Sequence, residues 1–146
     1  LNHALRPALN AGRVGWFHSP LDLDSMRAAA QYLVGTHDFS AFRSAACQAK
    51  SPVRELRRLD IRRSGDHMLF ELAANAFLHH MVRNIVGSLV YVGKGKHDPA
   101  WIATVLAGRD RTRAAPTLEA AGLYLERVSY DAAWGLPPAG RDAWFT

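Results

Sequence analysis

The sequence predicts a two-layer α+β domain, a small and mostly antiparallel sheet with helices packed on one face. Three observations carry that expectation. Leu78, Met81, Val82, Ile85, Val86, Leu89 and Val90 recur at i, i+3, i+4, i+7, i+8, i+11 and i+12, which is one buried helical stripe. Leu59 and Ile61 alternate with Arg58, Asp60 and Arg62, and Met68, Phe70 and Leu72 alternate with Leu69 and Glu71, across the turn residues Ser64-Gly65-Asp66. The full order, helix, strand, strand, helix, helix, strand, fits helices segregated to one side of an antiparallel sheet.

Each element has its own local reason. Residues 1–20 contain Pro7, Gly12, Gly15 and Pro20, with an extended candidate at Arg13 to Phe17. They read as a lead-in from something upstream. Asp22 caps a helix running to about Val34 and stopped by Gly35, with Met26, Ala29, Ala30 and Leu33 on its apolar face. His37 to Pro52 is rich in small and polar residues and reads as a functional loop. The hairpin follows, its outer face carrying Arg54, Arg57, Arg58, Arg62 and Arg63. For each of these a solvated sheet face and a nucleic-acid contact both stay open. Asn75 is placed as the cap of the long helix, which Gly93 and Gly95 end. Pro99 opens a second helix with Trp101, Ile102, Val105 and Leu106 inward. Arg109 to Arg113 form a loop, and Gly122 to Val128 read as a last strand. Residues 21–131 are thus the α+β domain and 132–146 a tail.

Composition narrows the class. The chain has 146 residues, enough for one domain with its own core, and 49% of them are hydrophobic. No apolar run reaches the roughly 20 residues that cross a bilayer, and the first residues lack the pattern of a signal peptide. A single cysteine, Cys47, excludes an internal disulfide and makes a reducing cytoplasm the expected setting. The formal net charge is +5, and only Lys50, Lys94 and Lys96 among the 18 basic residues are lysines. Guanidinium forks suit phosphate, although GC-rich coding would give the same bias; a polyanionic partner is suggested.

Arg83 is the first candidate for chemistry. At about 100° per residue it lies roughly 120° from the centre of the apolar stripe, on a flank expected to include His79 and Gly87. From such a margin an arginine packs its stem and aims its head into a cleft; a structural ion pair is the alternative. Glycine inside a helix costs about 1 kcal/mol relative to alanine, so Gly87 suggests room for a neighbouring backbone or a substrate. His79 and His80 diverge if both are helical, and no His-x-x-x-His or Cys-x-x-Cys supports a metal. Cys47 reads as a structural thiol, and Gly93-Lys94-Gly95-Lys96 as a helix stop with two lysines available to phosphate. In His37-Asp38-Phe39-Ser40-Ala41-Phe42-Arg43 the rings anchor the loop in the core, the preferred reading, or stack on bases beside Arg43.

Taken together, these residues resemble a known family. Asn75-Ala76-Phe77-Leu78-His79-His80-Met81-Val82-Arg83-Asn84-Ile85-Val86-Gly87 is similar to the most diagnostic segment of the A-type tRNA pseudouridine synthases. His37-Asp38-Phe39 with Phe42, Cys47-Gln48-Ala49-Lys50-Ser51-Pro52-Val53-Arg54, Arg111-Thr112 with Ala114, and Gly122-Leu123-Tyr124-Leu125 accompany it in order. The likeness runs from about residue 13 to residue 137.

The resemblance implies a ferredoxin-like C-terminal domain of an enzyme that isomerises uridine to pseudouridine in the anticodon arm of tRNA. It implies no cofactor and no metal, and a homodimer of two-halved subunits around a basic cleft; the lack of a long apolar run already suggests no membrane. It makes Arg83 the partner of a nucleophilic aspartate in an Arg-Thr-Asp-x-Gly-Val-His motif of the N-terminal half. None of the 13 acidic residues here stands in such a motif, so the chain is expected to be the second half of the enzyme and inactive alone. Contacts to RNA are expected from His37, Phe42, Arg43, Lys50, Arg54, His79, Lys94, Lys96, Arg109, Arg111 and Arg113. A non-catalytic RNA-binding module and a self-associating structural domain are the alternatives.

Overall fold

The computed structural model describes residues 2–6 and 8–136. Three helices and three strands follow one another as α1 (Leu23–Gln31), β1 (Gly35–Asp38), β2 (Val53–Ser64), β3 (His67–Ala74), α2 (Met81–Gly93) and α3 (Trp101–Gly108). The strands form one antiparallel sheet in the order β1-β2-β3. The α+β expectation holds, with three strands in the sheet, β1 taking the place of the strand expected at 122–128.

The β2–β3 hairpin turns at Ser64↔His67 and pairs Ile61 with Phe70 and Leu59 with Leu72. A bulge between Leu56 and Arg58 shifts the alternation by one. Leu56, Leu59 and Ile61 all stay buried although they do not share a single period of two. On the opposite face Arg58 meets Asp60 at 3.4 Å and Arg62 meets Glu71 at 3.0 Å. Arg57 meets Glu55 at 3.1 Å. Three of the hairpin arginines are therefore matched by carboxylates of the sheet itself.

Asp22 caps α1 as expected, its Oδ1 accepting from the backbone N–H of Asp24 at 3.0 Å and of Ser25 at 3.5 Å. Met26, Ala29 and Ala30 turn inward. α1 crosses α2 where a Cβ on Gly93 would stand 2.7 Å from the Met26 sulfur. The core runs without interruption from α1 through Phe39, Phe42, Leu56 and Leu59 to Ile85, Leu89, Ile102 and Val105.

Four expectations need correction. Gly35–Asp38 is a strand paired with Val53 to Leu56, not the start of a loop, and Ser40–Phe42 is a single 3-10 turn. The long helix starts at Met81 rather than after Asn75. The Asn75 side chain is occupied elsewhere, accepting from the N–H of Glu55 at 3.0 Å and of Ala76 at 2.9 Å. His80 then takes a left-handed φ of 60° before the helix begins. Gly122 to Val128 make no sheet ladder among the described residues, and Leu123, Tyr124, Leu125 and Val128 are exposed. Arg13 to Phe17 form no strand, only an isolated bridge from Asn2 to Phe17. Of the expected tail, residues 137–146 lie outside the described part.

Gly87 has a clear steric reason. A Cβ there would stand 2.6 Å from the Pro116 carbonyl oxygen. Gly87→Ala is expected to lower stability by roughly 1–3 kcal/mol through overpacking, against a helix-propensity gain of about 1 kcal/mol. A urea unfolding midpoint that rises in the variant would show that the backbone of 116–118 is free to retreat.

Candidate functional site

The flank of α2 that carries Arg83 faces an irregular segment, Ala115 to Leu118, and the two are fastened at successive levels. The Ser88 hydroxyl donates to the Asn84 carbonyl at 2.9 Å and accepts from the N–H of Ala115 at 3.3 Å. The Thr117 hydroxyl donates to Asn84 Oδ1 at 2.7 Å. The Arg83 Nε donates to the Leu118 carbonyl at 2.7 Å. Gly87 lets the segment approach this closely. Asn84 and Ser88 are fully buried, and Asn84 also donates from Nδ2 to the Phe42 carbonyl at 2.8 Å. Buried polar groups require such partners, and here they fix a strip of backbone against a helix.

Arg83 is half-buried, and its Nε is the only nitrogen of its guanidinium engaged with the described residues. No carboxylate among them lies within ion-pair distance of it. Arg83 lines a cavity of about 160 Å³ between α2 and β3, with Phe70, Leu72, Val82, Val86 and Leu118 among the other walls. A guanidinium held by one nitrogen in a largely apolar wall is suited to a carboxylate or phosphate brought to its free edge.

His80 sits beside this group. Burial lowers its pKa below the ordinary 6.5, and the charges of His79, Arg83 and Arg111 lower it further. Its ring stacks on that of His79 at 3.9 Å. Sequence spacing had put His79 on the helix and sent the two rings apart; the chain before Met81 is a turn, so they lie together instead. Among the described residues no group of three His, Cys, Asp or Glu side chains converges on one point.

The other expected site residues are distributed as follows. Arg111 Nη2 donates to Asn84 Oδ1 and to Thr117 Oγ1, each at 3.0 Å. Arg43 ties its own loop, donating to the carbonyls of Cys47 at 2.8 Å and Ala49 at 2.9 Å. His37 Nε2 bonds the Val34 carbonyl at 3.0 Å, and Phe42 is fully buried, so its ring packs in the core and offers no face to a base. Arg54 bonds the carbonyls of Ser51 at 3.0 Å and Val53 at 2.6 Å, while its Nε is buried without a partner.

Arg109 is exposed and reaches Asp38 at 3.4 Å. The Asp38 carboxyl is held below its usual range by the Ser40 hydroxyl above all, with Arg109 and Arg43 assisting and burial opposing. Arg113 and Lys50 are exposed. Lys94 and Lys96 stand over the Tyr91 ring at 4.1 and 4.4 Å. Tyr91 lies two turns along α2 from Arg83, about 12 Å at 1.5 Å per residue.

Arg83, Arg111 and the two histidines are therefore brought together, and the lysines mark the far end of the same helix. Sequence reasoning weighed His80 only as a metal ligand and missed Asn84, Thr117 and Leu118 as site residues. Asn84 alone gave a signal, a polar side chain one position beyond Arg83 on an otherwise apolar helix.

The His80 reading has a direct check by NMR titration of this chain. The ring is expected to titrate below 6.5, and Arg83→Met to raise its midpoint only part of the way back, burial being the larger cause. Because the folded value is depressed, the stability tied to neutral His80 is whole above the ordinary value and is lost as pH falls through the lower, folded one.

The sequence pattern of a family described as tRNA pseudouridine synthase matches residues 29–131. The tRNA pseudouridine synthase A of Thiobacillus denitrificans is 61% identical over 137 residues, covering 94% of this chain and 53% of that protein. That of Aromatoleum aromaticum is 61% identical over 140 residues, covering 96% of this chain and 53% of the relative. That of Burkholderia ambifaria is 58% identical over 137 residues, covering 94% and 51%. The chain spans about half the length of these relatives. It belongs to the tRNA pseudouridine synthase family.

Proposed function

We propose that this chain supplies one wall of the active-site cleft, and part of the RNA-binding surface, of an enzyme that converts uridine to pseudouridine in the anticodon arm of tRNA. The observation that carries the reading is the Arg83 guanidinium. It is fixed through Nε to Leu118, lines a cavity, and pairs with no carboxylate among the described residues.

In this isomerisation the N1–C1′ glycosidic bond breaks, a C5–C1′ bond forms, the hydrogen on C5 leaves as a proton and N1 takes one up. A nucleophilic carboxylate is the natural agent for a covalent route, and it must be ionised and aimed. A guanidinium beside it favours the charged form and sets its direction. The carboxylate is proposed to come from the part of the enzyme that the relatives have and this chain does not span. The uridine must also leave its stack, at a cost of a few kcal/mol, so the rest of the tRNA has to be held meanwhile. Lys50, Lys94, Lys96, Arg109 and Arg113 are exposed cations suited to the phosphate backbone. Contacts from His37, Arg43, Arg54 and His79 are proposed to add to that surface. A cytoplasmic homodimer needing neither metal nor cofactor completes the proposal.

Two outcomes test it. This chain alone is expected to release no tritium above background from tRNA labelled at uridine C5. Joined to the remaining portion of the Thiobacillus denitrificans relative, it is expected to turn over. In that complete enzyme Arg83→Ala should lower kcat about a hundredfold or more, with tRNA affinity changed less than about threefold. Equal losses in turnover and affinity would make Arg83 a phosphate contact, and turnover by the chain alone would place the nucleophile within it.

A further inference from the structure

Arg111 was expected to touch RNA, yet its terminal amine is already committed inside the protein. Nη2 donates at 3.0 Å to both Asn84 Oδ1 and Thr117 Oγ1, and Thr117 in turn donates to Asn84 at 2.7 Å. The three groups form a closed triangle around a fully buried amide. Next to Thr117 stands Leu118, whose carbonyl receives Arg83 Nε and whose N–H reaches the Arg83 carbonyl at 3.4 Å. Next to Arg83 stands Asn84. Both sides of the Arg83–Leu118 bond are therefore one residue from the triangle.

We propose that Arg111 and Thr117 are positioning residues. By clamping Ala115 to Leu118 onto α2 they fix the Leu118 carbonyl, and that carbonyl fixes the direction of the Arg83 guanidinium. The inference rests on the role proposed for Arg83 and adds the device that aims it. The guanidinium of Arg83 is an articulated head on a long stem, and one hydrogen bond from Nε is what selects its rotamer here. A displaced Leu118 carbonyl would let the head swing by an ångström or more, and errors of that size at reacting groups cost about a hundredfold in rate. A simple phosphate contact at Arg111 would need no triangle, since a charged head for RNA works best facing solvent.

The test uses the complete enzyme described above. Thr117→Val keeps the shape and removes the hydroxyl that joins Arg111 to Asn84; Thr117→Ser restores it. Thr117→Val is expected to lower kcat about tenfold with KM within about twofold, and Thr117→Ser to stay within about twofold of the parent. Arg111→Met should act like Thr117→Val and leave the salt dependence of tRNA binding unchanged. A decrease of about one in the salt slope with kcat intact would return Arg111 to the phosphate backbone and overturn the proposal.

The decisive comparison is made on an Arg83→Met background, which keeps the stem but has no donor for the Leu118 carbonyl. There Thr117→Val should cost nothing further. A second tenfold loss would show that the clamp acts on stability generally and not through Arg83. Equal losses from Thr117→Ser and Thr117→Val would show the same. If Arg83→Ala itself left turnover intact, the reading of Arg83 would fall instead.

Discussion

The buried amide of Asn84 is the constraint around which this domain is arranged. It lies on a helix whose neighbours are Ile85, Val86, Leu89 and Val90, where an unsatisfied polar group costs about 1–3 kcal/mol. Satisfying it recruits three separate parts of the chain: the Phe42 carbonyl after β1, the Arg111 head after α3, and Thr117 beyond that. One side chain thereby fixes the mutual position of the early loop, the long helix and the irregular segment opposite Arg83. Hydrophobic packing alone is non-directional. It would bring these elements together without deciding which backbone carbonyl faces the arginine.

The surrounding electrostatics follow from the same arrangement. Arg83 and Arg111 approach from two elements, and His80, left-handed at the foot of α2, has its pKa lowered by burial first and then by the charges of His79, Arg83 and Arg111. Elsewhere the protein balances its arginines locally, as the ion pairs on the outer face of the hairpin show. Around Arg83 no carboxylate among the described residues comes within ion-pair distance, although Glu119 lines the same cavity. That contrast, more than the net charge, is what suits the cleft to an anion.

Much of this was legible in the sequence, for identifiable reasons. The β2–β3 alternation and the seven-residue stripe of α2 are long enough to outweigh local exceptions. Asp22 worked as a cap because its partners, the N–H groups of Asp24 and Ser25 and the Ser25 hydroxyl, all lie in the first turn of its own helix. Asn75 failed as one because the N–H of Glu55, twenty residues earlier, claims its oxygen, and such a partner exists only once the sheet has formed. β1 was missed because four residues with mixed burial carry no period. The flank position of Arg83 and the room at Gly87 could be read from helical geometry. What lay opposite could not, because Pro116 and Leu118 sit in a segment with no periodicity, and its place is set by hydrogen bonds to Asn84, Ser88 and Arg83. Gly122 to Val128 read as a strand from their own residues, but a short apolar run does not say whether a partner edge exists, and they join no sheet among the described residues.

The last segment has another property. Glu119 accepts from the N–H of Trp16 at 3.1 Å, the Tyr124 hydroxyl donates to the Arg13 carbonyl at 2.7 Å, and a Cβ on Gly122 would stand 2.6 Å from the Gly15 nitrogen. These contacts join positions separated by 103 and 111 residues. Closing so long a loop is entropically expensive and is rewarded only after the intervening chain has ordered. With exposed side chains on one partner, the seam has little local burial to hold it. The seam is therefore expected to form late and to open before the helices and hairpin do.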